Sequence, residues 1–128
     1  MEGIDNINDP AIRVVMMPKD TNPHGSIFGG HILSLIDSAA GQHARSVDPH
    51  KYVTKLMKEV EFIAPVYVGD SVSFYTKTIK VGKTSITIRV DVVAMRGVGF
   101  LECMKVTSAE VVMVAVDEEQ RPVKITAS

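Results

Sequence analysis

Residues 17–37 read M-P-K-D-T-N-P-H-G-S-I-F-G-G-H-I-L-S-L-I-D and hold most of the groups in this chain that could do chemistry. A polar loop broken by Pro and Gly runs into Gly29 and Gly30, and then into an apolar stretch whose one carboxylate is Asp37. If that stretch is a helix, the amides at its start have no intrahelical partner and sit at the positive end of its dipole. Such amides hold an anion, or an oxygen that becomes anionic during reaction. The pattern is an oxyanion hole in outline, with Gly30 the first-choice donor and Gly29 or Phe28 next.

Each of these residues also has a plainer reading. Ser34, Asp37, Ser38, Gly41 and Arg45 recur at helical spacing, so Asp37 could belong to a solvated or interface stripe, linked to Arg45 through its neighbours. Against that, a carboxylate on an otherwise apolar helix is costly to bury without partners, and such positions tend to be functional. As a base Asp37 would activate a water; as a nucleophile it would attack a carbonyl itself. Asn22 precedes Pro23, a turn-starting pair in which the Asn side chain bonds its own loop backbone. Gly25, Gly29 and Gly30 fit turns and close packing, roles compatible with an amide hole. His24 titrates in the range of a general base, yet no Ser or Cys nucleophile accompanies it, which favours a loop or pocket-lining role. His31, His43 and His50 lack metal-ligand spacing with any Cys or acidic partner, so no metal is expected. Cys103 reads as a small buried residue, and the seven methionines as core filling.

The chain around these residues is 128 amino acids long, the size of one domain with a single core. Hydrophobic residues make up 45% and charged residues 23%, ordinary values for a globular protein. The formal net charge of -1 gives no global field for gathering nucleic acid. One cysteine forms no intramolecular disulfide, and the sequence MEGIDNINDP has neither the basic nor the apolar region of a secretory signal, so the cytoplasm is the expected compartment. No run approaches the roughly 20 apolar residues of a membrane helix.

The elements that must position the site follow from periodicity. Residues 1–10 are polar and expected to fray; residues 11–118 form the domain, and 119–128 a polar C-terminal tail. Residues 11–17 are rich in β-branched types and stop at Pro18, which predicts a first strand. From 30 to 47 apolar residues occupy more than one helical face, the mark of a helix wrapped by protein. The dipeptide Asp48-Pro49 ends it. Strands follow over 52–64, 71–81, 84–95 and 101–116, with a tight hairpin at Val81-Gly82-Lys83. Within 84–95 the residues Ile86, Ile88, Val90, Val92 and Ala94 alternate with polar ones, so one face is buried. The class is α+β: an antiparallel sheet that must curl around one long helix to bury it.

Three segments now taken together, P-K-D-T-N-P-H-G-S-I-F-G-G-H-I-L-S-L-I-D, F-I-A-P-V-Y-V-G-D and V-G-K-T-S-I-T-I-R-V-D-V, resemble the hot-dog fold acyl-CoA thioesterases. The likeness is greatest to the small bacterial acyl-CoA hydrolases of the YciA type and covers roughly residues 11–118. It implies a hot-dog fold, a curved antiparallel sheet around one central helix, and hydrolysis of acyl-CoA to a free acid and CoA without a cofactor. It places the catalytic acid at Asp37 and sets Asn22 opposite the Asp37 of a neighbouring subunit, with a dimer as the minimal active unit and trimers of dimers as the common assembly. It also points to Lys83, Thr84 and Ser85 as CoA contacts. Lys80, Arg89 and Arg96 lie on or beside the same hairpins and could bind phosphate or simply carry solvated charge. Thr54, on the strand after the helix, is a candidate for lining the thioester channel. Two alternatives use the same fold: an acyl-thioester hydratase or dehydratase, which needs Asp37 paired with His24 or His43, and a non-catalytic acyl-CoA binding module.

Overall fold

A computed structural model describes residues 9–126. The chain runs β1 (Ile12–Val15), α1 (Gly29–Val47), β2 (Lys51–Phe62), β3 (Ser71–Val81), β4 (Ser85–Arg96) and β5 (Glu102–Val116), with one 3₁₀ turn at Pro18–Asp20. The five strands form one antiparallel sheet in the order β1, β3, β4, β5, β2. This is the hot-dog arrangement expected from the sequence, with the helix packed against β2, β3, β4 and β5. The expectation that residues 1–10 fray falls largely on residues outside the described ones.

Alternation sets the core. Ile86, Ile88, Val90, Val92 and Ala94 of β4 are all fully buried beneath the helix. From α1 they meet Ile32, Ile36, Ala39, Ala40 and Ala44; the three alanines let the helix lie close to the sheet. The helix is wrapped less completely than its composition suggested. Leu33 and Leu35 are half-covered, and Ser34, Ser38, Gln42 and Arg45 are exposed. One sheet covers one stripe of a helix, and the side left open in a single chain is the polar one.

The connections differ from a simple chain of hairpins. β2 does not pair with β3, which follows it; it crosses to the far edge and pairs with β5. Residues 63–70 make that crossing. A clasp fixes their end, where Asp70 accepts from Arg96 Nε at 2.8 Å and Nη2 at 2.7 Å, and the Arg96 guanidinium lies 4.8 Å from the centre of the Tyr67 ring. β2 ends up an edge strand of 12 residues whose Val53, Leu56, Val60 and Phe62 are exposed.

Three local expectations change. Cys103 is exposed, not buried, because it opens β5 opposite Met95 at the sheet end beyond the helix. Of the described methionines only Met16 and Met113 are fully buried, and Met17 is about half exposed. The segment read as a polar tail folds back on the sheet: Val123 N–H donates to Ala115 O at 2.9 Å, Ile125 N–H donates to Lys83 O at 2.8 Å, and Ile125 is buried.

Candidate active site

The loop before the helix is shaped by its own polar groups. Asn22 Oδ1 accepts from the His24 amide at 2.8 Å and the Ser26 amide at 3.3 Å, while its Nδ2 donates to Ser26 Oγ at 2.9 Å. Asn22 is therefore the turn residue its position before Pro23 suggested, and within one chain it shares no hydrogen bond with Asp37. The loop then closes on the protein through Ile27 N–H to Val66 O at 2.7 Å and Phe28 N–H to Asp20 O at 2.8 Å.

Phe28 is the N-cap, and it offers no side-chain acceptor to the first turn. His31 and Ile32 N–H both donate to Phe28 O. The amides of Gly29 and Gly30 donate to no acceptor among the described residues. Two free N–H groups thus point out of the helix at its positive end. They face different surroundings. Gly29 lines a pocket of about 290 Å³ whose other walls include Ile27, Ile32, Phe62, Val66 and Thr107. Gly30 lines a polar pocket of about 370 Å³ with Lys19, Asp20, Thr21, Phe28 and His31. In the latter the Met17 amide, Lys19 and His31 hold the Asp20 carboxyl below the usual carboxylate range.

Asp37 lies two turns further along α1 and is half-buried. Thr54 Oγ1 on β2 donates to its Oδ1 at 2.5 Å, and Met113 Sδ lies 3.5 Å from the same hydroxyl. The proposed tie to Arg45 is not made; the acid is held across the interface between helix and sheet.

The remaining candidates are spread more widely. Lys83 is exposed and forms no ion pair among the described residues; Thr84 and Ser85 complete the turn, where Ser85 O accepts from Gly82 N–H at 2.7 Å. Arg89 is bound to buried Asp91 through Nη2 at 3.2 Å, and Arg96 to Asp70. His24 is exposed. His43 sits between Thr76 Oγ1 at 2.9 Å and Thr78 Oγ1 at 2.7 Å, and burial pushes its imidazole below the ordinary value. No group of three or more His, Cys, Asp or Glu among the described residues is placed to hold a metal.

Comparison with known proteins fits this geometry. Residues 24–99 match the thioesterase superfamily. The chain belongs to that family. Its relatives include an uncharacterized acyl-CoA thioester hydrolase of Zymomonas mobilis, 41% identical over 118 residues that span 91% of this chain and 78% of the other. The Escherichia coli acyl-CoA thioester hydrolase YciA is 36% identical, over 89% and 88%. Among solved structures, a hexameric hot-dog fold thioesterase of Campylobacter jejuni superimposes with a TM-score of 0.87 at 43% identity, covering 92% of this chain and 90% of that one.

Sequence reasoning found the amides and the acid but not the walls around them. Phe62 and Thr107 lie side by side on adjacent strands, 45 residues apart in the chain. Only the pairing of β2 with β5 brings them to Gly29, and no local pattern announces that pairing.

Proposed function

We propose that this chain hydrolyses acyl-CoA thioesters to a free acid and CoA at a site completed by a second copy of itself. The observation that carries the reading is the pair of free amides at Gly29 and Gly30 on the helix that also bears Asp37. The activities of its relatives support it. In the mechanism, the thioester carbonyl oxygen accepts from Gly30 or Gly29 N–H, and the dipole steadies the negative charge of the tetrahedral intermediate. Asp37, oriented by Thr54, takes the proton of an attacking water or attacks the carbonyl carbon itself; collapse of the intermediate expels the CoA thiolate, and in the second route a water then cleaves the acyl–Asp37 anhydride to the free acid and restores the carboxylate.

Helix geometry supports a shared site. First-turn N–H groups point beyond the N-terminus, away from Asp37, and the seven residue steps from Gly30 to Asp37 add about 10 Å of rise. A carbonyl held by those amides is therefore farther from the same chain's carboxylate than one intervening water spans, roughly 3 Å on each side. A second copy closes that gap if its Asp37 faces the first copy's loop, with Asn22 beside it to position water or thioester. The exposed β2 edge, with Asp37 and Thr54 next to it, is suited to such pairing. A dimer built this way is the minimal active unit, and a hexamer like the Campylobacter relative would be three of them.

CoA phosphates fall to Lys83 with Thr84 and Ser85, since Arg89 and Arg96 are already engaged by Asp91 and Asp70. The hydratase alternative lacks support, because neither His24 nor His43 bonds Asp37. Release of free thiol across acyl-CoAs of increasing chain length tests the reading. Hydrolysis liberates thiol, whereas hydration or simple binding leaves the thioester intact.

A further inference from the structure

Thr107 occupies a position where an apolar side chain would serve packing better. In the sheet it stands between Phe62 of β2 and Val92 of β4, and Val92 stands beside Phe74 of β3. Residues directly opposite one another in antiparallel strands share a face, so this row points to the helix side. Thr107 reaches that face by alternation with the core residues Ala109, Val111, Met113 and Ala115, and just beyond it β5 carries a bulge, where Val93 pairs with Lys105 and Val106 is the extra residue.

The side chain is 1% exposed, and its hydroxyl makes no hydrogen bond with any described residue. No fully enclosed side-chain N or O atom among the described residues lacks a partner, so this hydroxyl, which bonds no protein group, opens onto a cavity instead of being sealed in the core. Thr107 is also a wall of the pocket that Gly29 lines, and the neighbouring side chains there, Ile27, Ile32, Phe62 and Val66, are hydrocarbon. They offer a ligand no other side-chain polar contact.

Taken with the hydrolase reading, on which this rests, we infer that the preferred acyl chain carries an oxygen substituent near its thioester end, as in a 3-hydroxyacyl or 3-oxoacyl group, and that the Thr107 hydroxyl bonds it. A chain whose carbonyl is held at Gly29 or Gly30 enters the pocket beside Gly29, and Thr107 is the one side-chain polar group waiting on that wall. A hydroxyl suits either substituent: it donates to an oxo oxygen and accepts from a hydroxyl.

The test compares hexanoyl-CoA, 3-hydroxyhexanoyl-CoA and 3-oxohexanoyl-CoA by thiol release with the full-length protein and two variants, Thr107→Val and Thr107→Ser. The parent should favour at least one oxygenated substrate by about tenfold in kcat/KM, the worth of one good hydrogen bond. Thr107→Val should erase that ratio while keeping hexanoyl-CoA turnover, and Thr107→Ser should retain most of it. The thermal midpoint of Thr107→Val should stay close to the parent's, because the hydroxyl bonds no protein group. Equal turnover of all three substrates by the parent, or a preference that survives in Thr107→Val, overturns the inference and leaves the hydrolase reading standing. A marked fall in thermal midpoint also overturns it, by revealing a structural bond. Failure to release thiol from any of the three sinks the hydrolase reading, and this inference falls with it.

Discussion

At the residue scale Thr54 decides how Asp37 should be understood. On the sequence Asp37 was one member of a polar stripe and Thr54 a distant channel candidate; a single hydrogen bond between helix and edge strand makes them a unit. Asp37→Asn should keep the thermal midpoint while lowering kcat by two orders of magnitude or more, the loss expected when a positioned base disappears. Near-normal kcat in that variant would remove Asp37 from the chemistry. Thr54→Val should lower kcat by roughly tenfold with little change in KM, since it disturbs the aim of the acid and leaves the acid itself. For Lys83→Ala the balance reverses: KM for acyl-CoA should rise more than kcat falls, and the difference should shrink as salt screens the charge. Acyl-pantetheine, which lacks the nucleotide phosphates, should show no difference between Lys83→Ala and the parent. An equal loss on both substrates would place Lys83 in folding or catalysis. The residue types at the site were legible because Gly, Asn and Asp each have a narrow set of uses. Thr54 was legible only as a channel-lining candidate and not as the partner of Asp37, and Thr107 not at all, because a threonine in a strand has an ordinary explanation and only its neighbours in space reveal another.

Elements came out of the sequence nearly to their ends, since period-two and helical patterns are local. Their order in the sheet did not: β2 lies beside β5 because a buried helix requires the sheet to curl, and that is a property of the whole arrangement. Two contacts between elements make stability depend on pH. Burial lowers the His43 imidazole where α1 meets β3, so between its folded value and the ordinary 6.5 the unfolded chain binds more protons. Stability from this group is present above pH 6.5 and is lost as pH falls through the folded value. Thermal midpoints measured downward from pH 7 should decline from about pH 6.5 in the parent, and His43→Gln should flatten that limb. A parent-like slope in His43→Gln would assign the effect elsewhere. At the β2 to β3 crossing, burial pushes the Asp70 carboxyl up, but the hydrogen bonds from Arg96 and the Tyr67 amide leave it net below its ordinary 3.8. That contribution persists above the ordinary carboxylate value and fades in stronger acid, as the folded-state group protonates. Asp70→Asn should lower stability at neutral pH by about 3 kcal/mol, because it strands a partly buried guanidinium. Denaturant titration at pH 7 measures it, and a change within experimental scatter would mean that the Arg96 clasp holds nothing in place.

For the whole molecule, one chain leaves a polar helix face open and the edge strand β2 unpaired on one side, and in the proposed mechanism it supplies half of a catalytic arrangement. These are the same deficiency seen three ways. Copies that pair along β2 would cover the edge and bring Asp37 of one to the loop and helix start of the other. Sequence alone showed none of this through pattern; it entered through the family resemblance, and helix geometry now supplies a physical reason for it. The most direct measurement mixes two inactive proteins, Asp37→Asn and Asn22→Ala, under conditions of proven subunit exchange, and follows thiol release from acyl-CoA. A mixed pair contains one site with both groups intact, so an equimolar mixture at random exchange should recover about a quarter of parental activity in a two-fold assembly. Activity that stays at the level of the separate variants despite exchange would show that each chain holds its own complete site, and would contradict the account.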